Sequence, residues 1–168
     1  MTLPDLEKLL QDPPKEYRPL PFWSWNEKLD VETSAQQIAM MDEAGLGGYF
    51  MHARGGLQTP YMGKEWMDNV RCGIDEGKKR GMSAWGYDED GWPSGFGAGA
   101  VNGMGERYQQ KYLRCEITDA PRQTPRTIAN LAHGEQTLHL YYEVNPFYVD
   151  TMDKAVIAEF LHAVHERY

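Results

Sequence analysis

Cysteine is scarce in this chain, with Cys72 and Cys115 the only two among 168 residues. They are far apart and form no C-x-x-C pattern, so neither a disulfide framework nor a thiolate metal site is expected, and both read as reduced structural thiols. Positive charge is short as well. Seventeen Lys and Arg stand against 25 Asp and Glu, for a formal net charge of −8. No basic stripe runs along any segment, which argues against nucleic acid as a partner. No run approaches the roughly 20 apolar residues of a membrane span. Met1-Thr2-Leu3-Pro4-Asp5 lacks the basic n-region and apolar run of a secretory signal. With the reduced thiols, this points to the cytoplasm.

What the chain does contain is concentrated in a few places. In Ser83-Ala84-Trp85-Gly86-Tyr87-Asp88-Glu89-Asp90-Gly91-Trp92-Pro93-Ser94-Gly95 a short apolar run ends in three acids and then a turn with a second tryptophan. A buried strand that delivers carboxylates and a flat apolar ring to the mouth of a pocket has this pattern. Carboxylates accept from sugar hydroxyls or move protons, and indoles stack on the C–H faces of sugars. The plainer alternative is an acidic Asp-Gly turn with Trp92 covering a core edge.

Upstream, strand and helix patterns alternate. Residues 1–19 read as a lead-in, with a short amphipathic helix around Leu6, Leu9 and Leu10 stopped by Pro13-Pro14. Pro21–Trp25 reads as a strand. Asp30 is a plausible N-cap for a helix whose face carries Ala35, Ile38, Met41 and Ala44, ended by Gly45. Gly47–His52 is a second strand. Trp66, Val70 and Ile74 mark a second helix closed by Lys78-Lys79-Arg80 and Gly81, and Met82–Tyr87 is a third strand. The alternation implies right-handed crossovers and a parallel sheet. The links into strands are tight. The links out of them, Asn26–Leu29, Ala53–Gly63 and Asp88 onward, are long, and the strand-end edge carries Trp25, Asn26, His52, Arg54, Asp88, Glu89, Asp90 and Trp92. Function in parallel α/β folds gathers at that edge.

The glycine-rich stretch from Gly95 to Gly105 reads as irregular. Two alternating segments, Gln110–Ile117 and Thr137–Val144, read as strands, and the residues between them, 119–136, as a flexible loop. Lys154–Arg167 is helical, with Asp153 as its cap. The expected organisation is a lead-in over 1–19, three strands with two helices over 20–105, a short β insertion over 106–147, and a third helix over 148–168. A fourth strand is expected to follow that helix.

Three ordered motifs carry a family resemblance: Arg18-Pro19-Leu20-Pro21-Phe22-Trp23-Ser24-Trp25-Asn26, then Glu43–Leu57 with its Gly47-Gly48-Tyr49-Phe50-Met51-His52-Ala53-Arg54-Gly55-Gly56 core, then Tyr87–Gly95. Together they resemble the start of glycoside hydrolase family 106, typified by α-L-rhamnosidases. The likeness runs over about residues 16–105 and resumes from Tyr148 to Tyr168. The resemblance implies a fold class of α/β type: a partial (β/α)8 TIM-type barrel, holding the first three βα units, with a small antiparallel β insertion after the third strand. It also implies an inverting, calcium-dependent enzyme of which this chain is the N-terminal portion. The later barrel strands, expected to bring the catalytic carboxylates, have no counterpart here, so the fragment is expected to supply substrate-binding residues and to be inactive alone. Its partners are then a carbohydrate substrate and the remaining barrel domains, or another copy of itself if the chain is complete. The alternative is a non-catalytic carbohydrate-binding or interaction module.

The substrate-binding candidates are Trp25, Asn26, His52, Arg54, Asp88, Glu89 and Trp92. His52 could donate to a sugar hydroxyl and Arg54 could hold Asp88 or Glu89 ionised; a packed histidine and a structural ion pair remain the alternative. Asp88 and Asp90 are the candidate acid and base. Two apart on a strand, they would sit roughly 7 Å apart at Cα, within the about 6.5–9.5 Å between the carboxyl groups of inverting enzymes. Catalytic pairs, however, normally come from different strands. Asp88, Glu89 and Asp90 are also the candidate calcium ligands, and other loops would have to complete such a site.

Overall fold

The structure, a computed structural model, describes residues 3–90 and 94–168. The chain divides into two compact units, Met1–Ser94 with Arg167–Tyr168, and Gly95–Glu166.

The first unit opens with α1 (Leu3–Gln11) and then alternates strand and helix: β1 (Phe22–Trp25), α2 (Val31–Glu43), β2 (Gly48–Ala53), α3 (Lys64–Arg80) and β3 (Ser83–Asp90). Local signals set these bounds. Asp30 caps α2, its carboxylate accepting from the Thr33 amide at 2.8 Å. Gly81, at φ 63°, ends α3 in the left-handed conformation after three basic residues that suit the helix C-terminus.

The sheet is parallel, in the order β1-β2-β3. Strand alternation gives it two distinct faces. Trp23, Trp25, Tyr49 and Met51 face the helices: Trp23 donates to Gln37 of α2, Trp25 meets Trp66 of α3, and the Tyr49 hydroxyl donates to the Gly73 carbonyl at 2.6 Å. Gly73 and Gly77 make this close approach possible. A Cβ there would lie 2.5 Å from Met51 Sδ and 2.8 Å from the Tyr49 oxygen. Buried in this seam, the Tyr49 phenol is pushed up to about 12 by desolvation, with the charges of Cys72 and Glu76 adding to it. The other face carries Phe22, Ser24, Phe50, His52, Trp85 and Tyr87, and Phe22 and Trp85 remain 58 % and 53 % exposed.

The second unit holds β4 (Gln109–Thr118), β5 (Thr127–His133), β6 (Gln136–Val149) and α4 (Lys154–Ala163). Its sheet is antiparallel, in the order β4-β6-β5. Val101, Val149, Val156, Phe160 and Val164 are buried, and Asn102 donates to the Pro146 carbonyl at 2.7 Å.

Two expectations are corrected. A mixed α/β arrangement of one open three-stranded parallel sheet and one separate three-stranded antiparallel sheet replaces the partial (β/α)8 barrel. Closure depends on a tilt and stagger shared by eight strands, and three strands of 4, 6 and 8 residues with two free edges do not set them. Nor is the antiparallel part small. Its β6 runs for 14 residues, the longest strand described, and the stretch expected to be a loop contains β5. A two-residue connection, Gly134-Glu135, turns β5 back into β6, with Gly134 at φ 63°.

Candidate functional site

The register levels the three parallel strands at their C-terminal ends: Trp25 lies opposite Ala53, and Ala53 opposite Asp90. The Arg54 amide extends the pairing by donating to the Trp25 carbonyl at 3.0 Å. The loops beyond are tied to each other. Gln58 donates to the Glu27 carbonyl at 3.2 Å, and the Leu29 amide to the Thr59 hydroxyl at 2.8 Å, with Thr59 buried. Gly56, at φ 104°, comes so close to β1 that a Cβ would sit 2.7 Å from the Asn26 carbonyl oxygen. Asn26 and Arg54, both exposed, are thus held on one braced rim.

Between Met51 and Ala53 the ladder slips. Two steps along β2 match four along β3, from Gly86 to Asp90. Tyr87, Asp88 and Glu89 fall in this bulge, the kind of irregularity that re-aims side chains beside functional sites. Simple alternation therefore does not set the directions of the three acids, and their surroundings differ. Glu89 is fully buried and Asp88 and Asp90 are half-buried. Asp88 accepts from the Ser94 hydroxyl at 2.8 Å. Burial raises the Asp90 carboxyl above its ordinary range, against the opposing pull of the His52 charge, which places His52 and Asp90 within electrostatic reach.

Ser24 pairs with His52 across the sheet, and Phe22, Ser24, His52, Arg54 and Tyr87 line a cleft of about 270 Å3. The His52 ring, 1 % exposed, lies 4.1 Å from the Tyr87 ring and meets Phe22 edge-on at 5.3 Å. Burial raises the Tyr87 phenol, and the Asp88 and Glu89 charges add to this while Arg54 opposes it. Arg54 lines the same cleft, so its guanidinium stands beside these rings. On the neighbouring loop the Tyr61 phenol is also raised, chiefly by burial and then by Tyr168, Glu89 and Asp88. The acids thus influence both Tyr87 and Tyr61.

The expected site residues do not all share one face. Asn26, His52, Arg54, Asp88 and Glu89 lie at the strand ends. Trp25 ends its strand there too, but its side chain turns to the opposite face. It is 3 % exposed, 4.8 Å from the Trp66 ring and 5.2 Å from the Trp23 ring. With Asn26, Asp30 and Gln37 it lines a separate cleft of about 230 Å3. Trp92 lies outside the described residues. Sequence reasoning missed Phe22, Ser24 and Tyr87. Alternation outward from His52 to its neighbours on β1 is the signal that would have found Phe22 and Ser24, whereas Tyr87 lies in the bulge, where β3 has no regular partner.

Among the described residues no group of three or more His, Cys, Asp or Glu is gathered to hold a metal ion. The consecutive acids of β3 do not by themselves supply the six to eight oxygens that calcium takes. Among the same residues no helix is long and apolar enough to cross a membrane.

A solved structure titled as a rhamnosidase from Novosphingobium sp. PP1Y is similar to this chain, with 26 % identity and a TM-score of 0.53. The likeness covers 76 % of this chain and 12 % of that one, so the chain spans a small part of that protein's length. It shows a rhamnosidase-like fold. No protein-family model matches the chain, and no curated protein matches it.

Proposed function

We propose that the cleft at the ends of β1, β2 and β3 binds a deoxyhexose unit of a glycan, and that this chain is the substrate-positioning part of a glycoside hydrolase of the family 106, α-L-rhamnosidase type. One observation carries the reading. His52, Arg54, Ser24 and two aromatic rings line a single cleft beside the bulged acids of β3. Apolar rings with a few convergent polar groups are what a sugar requires, since it presents C–H patches and hydroxyls together. The rhamnosidase-like fold supports the choice of sugar class.

In this reading Phe22 and Tyr87 take the apolar face of the sugar, 6-methyl group included. Ser24 and Arg54 bond its hydroxyls, and His52 contributes a ring nitrogen. Asp90, its carboxyl raised by burial, is the better of the two acids for donating a proton to a leaving oxygen, and Asp88 accepts from a hydroxyl. Inverting hydrolysis needs a second carboxyl across the scissile bond. We assign that group to the remainder of a longer enzyme and expect no turnover from these residues alone.

Isothermal titration with methyl α-L-rhamnopyranoside tests the binding. The wild-type chain is expected to bind, and Arg54→Ala to bind about tenfold more weakly or worse, in line with losing a charge-assisted hydrogen bond. Arg54 is exposed and should leave the thermal midpoint unchanged. No heat of binding from a folded chain would overturn the reading. Hydrolysis of an aryl α-L-rhamnoside by the isolated chain, lost in Asp90→Asn, would overturn the assignment of the second carboxyl elsewhere.

A further inference from the structure

The cleft on the helix side of β1 is lined by two tryptophans, Trp23 and Trp25, their rings edge to face at 5.2 Å. The Trp23 N–H donates to Gln37 Oε1 at 2.8 Å. The Trp25 N–H, on a side chain only 3 % exposed, has no hydrogen-bond partner among the described residues. Buried donors are nearly always paired, and an unpaired one is costly. In the wall of a cleft, such a donor marks where an acceptor from a ligand belongs. The Trp66 nitrogen is unpartnered too, but Trp66 lines neither this cleft nor the one beside His52.

The wall is preformed. Ser34, 4 % exposed, donates to Asn69 Oδ1 at 2.8 Å, and the Leu29 amide and Glu27 carbonyl are fixed by Thr59 and Gln58. Charge and size narrow the ligand. The charged groups of the cleft are Glu27, Asp30 and Lys28, two carboxylates against one ammonium. The Thr33 amide and hydroxyl hold the Asp30 carboxyl below its ordinary range, so it stays ionised and disfavours an anion. At about 230 Å3 the space falls below the roughly 300–1,000 Å3 of drug-sized sites and suits a single ring. Indole surface beside amides and a carboxylate calls for a neutral ring with C–H groups on its face and hydroxyls on its edge.

Ser24 stands in the wall of this cleft and of the cleft assigned to the deoxyhexose, and a strand occupies only about 4.8 Å across its sheet. On the basis of the deoxyhexose reading, we propose that this cleft is the adjoining subsite and takes the neutral pyranose to which the deoxyhexose is linked. One hydroxyl of that second ring accepts from the Trp25 N–H and donates to the Asp30 carboxylate. Another accepts from the Gln37 amide nitrogen, whose own oxygen is engaged by Trp23. Asn26, exposed in the same wall, bonds a third, and the Trp23 indole takes a C–H face.

NMR of the full 15N-labelled chain tests this through the five tryptophan indole N–H signals. Two probes are compared: methyl α-L-rhamnopyranoside, and rutinose, the disaccharide of α-L-rhamnose linked to D-glucose. The methyl glycoside is expected to shift the His52 and Arg54 amides and leave the Trp25 indole in place. Rutinose should shift all three along one saturation curve. Asn26→Ala should weaken rutinose roughly three- to tenfold, the range of one hydrogen bond, and leave the methyl glycoside unchanged. If rutinose shifts His52 and Arg54 while the Trp25 indole stays still and Asn26→Ala has no effect, the second subsite is overturned and the deoxyhexose site stands, the Trp25 N–H then bonding only water. If neither sugar moves His52 or Arg54, the deoxyhexose site falls and the adjoining subsite falls with it.

Discussion

At the residue scale, the bulge in β3 beside the candidate cleft separates three acids that adjacent positions would lead one to treat alike. Asp90 is held neutral more readily than a free aspartate, burial outweighing the nearby His52 charge. A carboxyl whose folded pKa is raised favours folding below its unfolded value, near 3.8, and loses that contribution as pH rises through the higher folded value. Asp90→Asn is therefore expected to raise the thermal midpoint at pH 7, with the gain shrinking as pH falls toward the unfolded pKa. Melting curves between pH 3 and 8 check this, and a gain that is larger in acid would contradict it. Residue identity was legible in the sequence, whereas residue direction was not. Trp23 and Trp25 clearly share a side by alternation, but nothing in their spacing says that this side takes the helices. Nor does any local signal in Tyr87-Asp88-Glu89-Asp90 announce a slip in register.

At the element scale, what could be read was what is encoded locally. Asp30 opens α2, and Gly45 and Gly81 end helices where glycine relieves a left-handed backbone. Regions with weak local coding were misread. In β5, Thr127–His133, exposed apolar residues such as Ile128 and Leu131 alternate poorly, and the strand exists because β6 offers it an edge. The parallel strands make a sharper test of packing. Gly48 lies opposite Ser83, and a Cβ on it would fall 2.2 Å from the Ser83 carbonyl oxygen, a backbone atom that cannot move aside. Gly48→Ala should thus cost about 3 kcal/mol or more by forcing β2 and β3 apart. Urea denaturation measures it. A loss below about 0.5 kcal/mol, the range of an ordinary surface change, would mean that the two strands do not approach as described.

At the scale of the whole molecule, the chain is two compact units, each with a three-stranded sheet. The aromatic face of the parallel sheet leads at its strand ends into the cleft assigned to sugar, and the antiparallel sheet exposes aliphatic residues. Their chemistry differs. Phe22, Tyr87, His52 and Arg54 combine flat rings with hydrogen-bonding and charged groups, whereas Leu113, Ile117 and Leu131 offer only aliphatic surface. The order of parallel strands and the position of the loaded loops were legible because tight and long links alternate along the sequence. Barrel closure was not, since curvature is a property of many strands together and no single segment encodes it.

Backbone amide NMR of the isotopically labelled chain, titrated with methyl α-L-rhamnopyranoside, tests the sugar site most directly. Saturable shifts are expected at Ser24, His52, Arg54 and Tyr87 through Asp90, with the amides of β4, β5 and β6 unmoved. Shifts absent from the strand ends, or confined to the antiparallel sheet, would contradict a sugar site there.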